Sequence, residues 1–303
     1  MMEELQREVL KICPVCKGKE FENVLTCEDY TYSHEHFDIQ KCVLCNFHFT
    51  NPRPGAKFIH NFYESPDYIS HTGNTQSILD SIYLGVRTRT LRWKYRLILK
   101  RKERGKLLDY GCGSGEFLAY MDKRGWEVLG MEPSAMARDR ANQLLGSGRR
   151  LVEEKLEDIE HKKLDVITLW HVLEHVLDPN KLLTDLKLLL ADDGLIFIAV
   201  PNFKSFDAQY YGKYWAGYDV PRHFWHFSHS TLQRLLSSQG FAIREKIPMK
   251  LDAFYVSLLS EKYKNKGKHS SIALIKAFVT GFISNLKANR NMNYSSHIYI
   301  VHS

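Results

Sequence analysis

The sequence predicts an α/β fold: a mostly parallel sheet covered by helices on both faces, preceded by a small cysteine-bearing module and a helical linker. Three observations carry this. Beyond residue 105, short strands that are apolar throughout alternate with helical stretches, the pattern of a sheet buried on both sides. One of those strands runs directly into Gly111, Gly113 and Gly115 and then a helix. Ahead of it, four of the six cysteines fall into two Cys-x-x-Cys pairs. A chain of 303 residues, 44% hydrophobic and 25% charged, can form one sizeable core plus an appendage. No secretory leader pattern and no apolar run of eighteen residues is present, so a cytoplasmic protein without a transmembrane segment is expected. The net charge of +7 gathers in Arg87 to Arg104 and in Lys262, Lys264, Lys266 and Lys268. These read as solvated helix faces, with an acidic substrate or lipid surface as the alternative.

Residues 1–55 form the first module, closed by Asn51-Pro52-Arg53-Pro54-Gly55, where fixed proline φ and a permissive glycine stop regular structure. Residues 56–104 are a helical linker: Phe58, Phe62 and Tyr63 recur at helical spacing between Lys57 and Tyr68, and Ile78 to Leu99 reads as a longer helix. The main domain is 105–303. Strands are expected at Lys106–Tyr110, Trp126–Glu132, Leu164–Trp170, Leu195–Val200, Phe241–Ile247 and Ile298–Val301. Helices are expected at Glu116–Lys123, at Ala135–Leu145 capped by Ser134, at Leu182–Leu190 and at Thr231–Ser238. An insertion at about 257–289 places Ile272, Ala273, Ile275, Phe278, Val279, Phe282 and Ile283 at helical spacing beside basic residues. It reads as a lid, packing helix or dimer element in preference to an interfacial membrane helix.

Alternate glycines after a strand let the chain turn tightly and let a ligand approach the backbone. A dinucleotide loop would need its third glycine at 116, where this chain has Glu116. Asp109 ends the strand just before the loop, where a carboxylate suits a cationic ligand and repels a pyrophosphate. Glu132 ends the next strand 23 residues on, placed to accept both hydroxyls of an adenosine ribose. The stretch from Leu107 to Leu118 resembles motif I of class I S-adenosylmethionine-dependent methyltransferases, and Gly130-Met131-Glu132-Pro133-Ser134 resembles their ribose-binding motif. Asp165 to Val176 and Gly194 to Asn202 resemble the fourth and fifth strand segments, so the likeness runs from about 100 to 303 in the right order. It implies a Rossmann-like seven-stranded sheet. It also implies that S-adenosylmethionine meets Asp109, Gly111, Gly113, Gly115 and Glu132, with Leu156 and Glu157 near the adenine and Trp170 and His171 near the methionyl end.

Cys13, Cys16, Cys42 and Cys45 form two Cys-x-x-Cys pairs with 25 residues between them. Four thiolates complete a tetrahedron and leave no open position, so a structural zinc in a ribbon-like module is expected, with disulfides the alternative. Cys27 and Cys112 read as ordinary small residues. Between the pairs lie Glu28, Asp29, Glu35 and Asp38 and few bases, which argues against a nucleic-acid partner. The arrangement resembles the zinc-binding region ahead of some sugar and natural-product methyltransferases.

Methyl transfer needs alignment of the acceptor, and a base where the acceptor must lose a proton. His223 and then His226, in Pro221-Arg222-His223-Phe224-Trp225-His226, follow the fifth strand and are the expected bases, the alternative being histidines bonded within a loop. His171 is a further candidate. Tyr210, Tyr211, Tyr214, Trp215 and Tyr218 could wall an acceptor pocket. His171, Glu174 and His175 would share a face of a helix and could hold a divalent ion. The cluster is similar to a Glu-x-x-Glu-His set of quinone-ring O-methyltransferases, with His171 in place of the first acid; otherwise Glu174 and His175 organise the loop beneath the cofactor. The expected reaction is methyl transfer to an oxygen or carbon of a small acceptor such as a sugar, cell-envelope or secondary-metabolite precursor. RNA methylation guided by the zinc module and a non-catalytic zinc-containing interaction protein are the alternatives.

Overall fold

A computed structural model describes residues 7–63, 78–146, 151–159, 163–267 and 270–303, with the backbone alone described over 78–87. The part of the expected linker helix beyond Tyr63, and Lys268, lie outside the described residues.

The first module is built of β1 (Arg7–Glu8), β2 (Phe21–Glu28), β3 (His36–Cys42), β4 (His48–Thr50) and β5 (Arg53–Pro54). β1 pairs antiparallel with β5, and β2, β3 and β4 pair antiparallel in succession. A short 3-10 turn, Ile59–Tyr63, follows β5, and α1 spans Ile78–Leu99.

The main domain then alternates as its apolar pattern requires: β6 (Lys106–Tyr110), α2 (Glu116–Asp122), β7 (Glu127–Met131), α3 (Ala135–Leu145), β8 (Val152–Glu153), β9 (Leu164–Trp170), α4 (Pro179–Leu189) and β10 (Leu190–Pro201). Ser134 caps α3, its side chain accepting the Ala137 N–H. After β10 come α5 (Phe206–Tyr211), β11 (Trp225–His226), α6 (His229–Ser238), β12 (Ala242–Pro248), α7 (Asp252–Lys264), α8 (Ser271–Asn291) and β13 (Ser296–His302). The insertion is thus two helices, beginning earlier than the sequence pattern suggests because α7 mixes Tyr, Ser and Lys among its apolar residues and shows no clear stripe.

Seven strands form one sheet in the order β12-β13-β10-β9-β6-β7-β8. β6 lies between β7 and β9 and is parallel to both, so strand order reverses at β6. Ligands of open α/β sheets bind outside the carboxyl end of the strand where that reversal occurs, and there the glycine loop begins. A second sheet runs β11-β4-β3-β2. Its first strand comes from residues 225–226, with Trp225 opposite Phe49 and His226 opposite His48.

The chain divides into two compact units. One comprises residues 1–71, 173–182 and 199–299, and the other 72–172, 183–198 and 300–303. The core of the second lies along β6 and β9, where Leu107, Leu108, Val166, Ile167 and Leu169 are fully buried. The first is centred on an aromatic cluster in which Phe47 stacks on Trp225 at 5.7 Å between ring centroids.

Candidate active site

The glycine loop turns sharply off β6, with the N–H groups of Gly111 and Cys112 both donating to the Met131 carbonyl at 2.8 and 3.1 Å. Gly113 has φ 54, and a Cβ built there would meet nothing within 4 Å. The loop therefore faces open space at the residue whose backbone a ligand must approach. Gly115 serves packing instead: at φ 79, its Cβ would fall 2.7 Å from that of Ala141 in α3.

Two carboxylates flank the loop. Asp109 is buried and accepts the Thr168 hydroxyl at 2.6 Å. Burial pushes its pKa up to about 7, against the lowering pull of Thr168 and Lys94. Such a group is suited to a cationic ligand that would hold it ionised. Glu132 accepts the Gly113 N–H at 2.9 Å and the Ser134 N–H at 3.0 Å, and burial raises its pKa too. It fixes the loop while its remaining lone pairs can still accept from ligand hydroxyls. At the end of β9, Trp170 stands edge-on to Phe117 at 5.5 Å with the Lys94 ammonium 4.1 Å over its ring. His171 follows with φ 57, breaking the strand. Leu156 and Glu157 form a short 3-10 turn after β8. An open glycine cradle, the buried Asp109 and the half-buried Glu132 fit an adenosyl ligand bearing a cationic amino-acid end.

The candidate acceptor residues gather in the other unit. Arg222 is 1% exposed and Asp29 0%. The guanidinium donates to both Asp219 oxygens at 3.0 and 2.6 Å, to Asp29 at 3.1 Å and to the Phe62 carbonyl at 3.2 Å. Asp29 also accepts from the backbone N–H and hydroxyl of both Thr31 and Ser33. Every charge in this network is therefore answered. Burial would raise the Asp219 pKa, but Arg222 outweighs it and holds the carboxyl down to about 2.

His223 is set by this loop. Its Nδ1 lies 2.9 Å from the Gly217 carbonyl, which can only accept, so Nδ1 carries the proton and Nε2 keeps a lone pair. Asp219 Oδ2 is 4.0 Å from that Nε2. His175 packs edge-on to His223 at 4.5 Å, and its Nδ1 likewise meets a carbonyl, that of Arg222, at 3.1 Å, with the Tyr63 hydroxyl at 3.0 Å. Burial pushes the His175 pKa down to about 4. Ligand atoms of Glu174, His175 and His223 come within 4.8 Å of one another. His171 does not belong to this set, a correction to the expected grouping of His171 with Glu174 and His175. The left-handed turn at His171 and the 3-10 turn at Leu173–His175 replace the helix on which the three would have shared a face.

His226 is placed differently. The Thr50 hydroxyl donates to the His223 carbonyl at 2.7 Å, so it accepts from His226 Nε2 at 3.1 Å; that imidazole joins β11 to β4. Of the expected pocket aromatics, Trp215 and Tyr218 line a shallow recess with Tyr30, Tyr263, Asp219 and Arg222. Tyr210 points to solvent, Tyr211 is buried, and Tyr214 packs against Phe203, Tyr211 and Trp215.

The sequence profile of a family described as a methyltransferase domain matches residues 85–246, more than half of the chain. This chain belongs to that methyltransferase family. The "Ubiquinone biosynthesis O-methyltransferase" of Actinobacillus pleuropneumoniae serotype 7 is 34% identical over 107 residues, covering 32% of this chain and 46% of that protein. The protein of the same name from Pasteurella multocida is 36% identical over 115 residues, with the same coverage. The methyltransferase thus spans about half the length of the curated relatives it matches. In fold it is similar to the magnesium protoporphyrin IX methyltransferase of Synechocystis PCC 6803, solved with bound S-adenosylhomocysteine, at a TM-score of 0.52 and 14% identity over 82% of this chain and 99% of that one. Its seven-stranded sheet is that of the class I methyltransferase fold.

The four paired cysteines of the methyltransferase converge. Sγ of Cys13 lies 3.6 Å from that of Cys45, and Sγ of Cys16 lies 3.4 Å from that of Cys42. A tetrahedral zinc–thiolate centre has sulfur–sulfur edges of about 3.8 Å, given zinc–sulfur bonds of about 2.3 Å, so the donor set fits that ion. Sequence reasoning missed Asp29, Asp219 and Tyr63. Arg222 was visible beside His223, but its partner Asp29 lies 193 residues away in the chain.

Proposed function

We propose that this methyltransferase is a cytoplasmic enzyme that methylates an oxygen or carbon of a small acceptor, with a hydroxyl oxygen favoured and His223 as the general base. S-adenosylmethionine supplies an electrophilic methyl group on a sulfonium. Asp109 and Glu132 hold its cationic and ribose ends, and Gly113 admits it to the backbone. The observation that carries the base assignment is the His223 tautomer: Nδ1 is committed to the Gly217 carbonyl, leaving Nε2 to accept the acceptor's proton while Asp219 stabilises the imidazolium. His226, whose Nε2–H is spent on Thr50, is a strand anchor in this reading. The names of the O-methyltransferase relatives support a hydroxyl acceptor, and sugars, cell-envelope precursors and secondary-metabolite precursors remain the acceptor class. Cys13, Cys16, Cys42 and Cys45 hold a structural zinc that braces the sheet carrying β11.

Glu174, His175 and His223 admit a second reading as a divalent-cation site. It is favoured by the two Nε2 lone pairs, each oriented by a carbonyl on the opposite ring nitrogen. Manganese dependence after chelation mild enough to spare the cysteine-bound zinc would select it.

The test is incubation with S-adenosylmethionine labelled in the methyl group and three acceptor pools: catechols and quinols, nucleotide sugars, and total RNA. Label is expected in a small molecule. His223→Gln is expected to lower kcat by about a hundredfold or more while KM for S-adenosylmethionine stays within about twofold. Label in RNA alone would overturn the proposal.

A further inference from the structure

Helix α8 is built inside out. Its inward face carries the small residues Ala273, Ala277, Thr280, Gly281, Ser284 and Ala288. Its outward face carries Ile272, Ile275, Phe278, Val279, Phe282 and Leu286, of which Ile272, Ile275 and Phe278 are 66, 64 and 64% exposed. A helix of a water-soluble surface places these two sets the other way round.

The orientation is fixed by specific bonds and contacts. Ser284 donates to the buried Asp207 at 2.6 Å, and Asp207 also accepts from Ser295 at 2.7 Å and from the Trp215 indole at 2.8 Å. Gly281 lets α7 approach so closely that a Cβ there would lie 2.8 Å from the Phe254 ring and 3.0 Å from the Ala253 carbonyl. The helix cannot roll its large side chains inward without breaking Ser284 from Asp207 and driving bulk into α7.

The charge around this face identifies its occupant. α8 contains no Asp or Glu and carries Lys276, Lys287 and Arg290. Two copies of the face brought together would set these cations against their counterparts with no carboxylate on the helix to answer them. An anionic lipid surface complements both features, apolar side chains entering the acyl boundary and bases meeting the headgroups. By length and composition α8 could also cross a bilayer, but its bonded inward face holds it against α7, so it lies in the interface plane. We infer that α8 docks the protein peripherally on an anionic membrane through Ile272, Ile275, Phe278, Val279, Phe282 and Leu286. This inference is independent of the acceptor assignment.

The test uses the full chain with vesicles of phosphatidylcholine alone and of phosphatidylcholine with phosphatidylglycerol, read by co-sedimentation. Binding is expected to the anionic vesicles and to weaken with added salt. Phe278→Asp combined with Phe282→Asp should reduce it by about tenfold or more while leaving S-adenosylmethionine affinity unchanged, which shows that the variant is folded. Lys276→Glu with Arg290→Glu should weaken binding to the anionic vesicles selectively. No binding by the folded wild type, or binding unaffected by the paired Phe substitutions, overturns the proposal. A stable dimer without lipid that the same Phe variant converts to monomer overturns it in favour of self-association.

Discussion

Arg222 shows how one side chain shapes the candidate acceptor site. Its charge is buried and answered by Asp29 and Asp219, and removing one partner of such a network strands the others in a low-dielectric interior. Arg222→Ala and Asp29→Ala are each expected to cost about 3–5 kcal/mol in urea unfolding, and the double variant much less than their sum; additive effects would show that the network is uncoupled. Nothing in the local sequence marks Asp29, since its worth comes from a partner distant in the chain. The places of Asp109 and Glu132 at strand ends around the glycine loop were legible from spacing alone. The orientation of His223 was not, because it rests on a backbone carbonyl. Nor was the exclusion of His171 from the Glu174–His175 cluster, which follows from a φ of 57 that no side-chain pattern announces.

At the scale of elements, the sheet β11-β4-β3-β2 joins the cysteine module to the loop that presents His223. Its strands β2, β3 and β4 were foreshadowed only by the ribbon-like module expected around the two cysteine pairs, and two-residue β11 is too short to show a period. The sheet makes a consequence measurable. Cys42→Ser should abolish a zinc content of about one ion per chain and lower methyl transfer, with S-adenosylmethionine affinity changed by less than about threefold, because the cofactor loop is built on β6. Retained zinc in that variant would contradict the four-thiolate site. Most main-domain helices and strands were legible as alternating apolar runs, with ends displaced by a few residues, whereas two-residue β8 and the short α5 were not. Helix α8 was legible as a helix, but its inside-out orientation depends on Asp207 and Gly281, which periodicity cannot reveal.

At the scale of the molecule, alternation of strand and helix with a glycine loop at the order reversal was enough to read the class I sheet. Its division into compact units was not readable in the same way, because residues 173–182 and 199–299 return to the unit that holds the first module, whereas the expected domains were continuous. The central claim is that Asp109, Glu132 and the open loop at Gly113 hold S-adenosylmethionine. Calorimetric titration tests it directly, with S-adenosylmethionine and NAD as ligands, on the wild type, Asp109→Asn and Glu132→Ala. Because burial places the Asp109 pKa at about 7, the carboxylate that meets the cationic ligand forms as pH rises through that value. Saturable binding of S-adenosylmethionine alone is predicted, about tenfold tighter at pH 8 than at pH 6, with the pH dependence flattened in Asp109→Asn and affinity reduced in Glu132→Ala. Binding of NAD instead, or affinity indifferent to both substitutions, would contradict it.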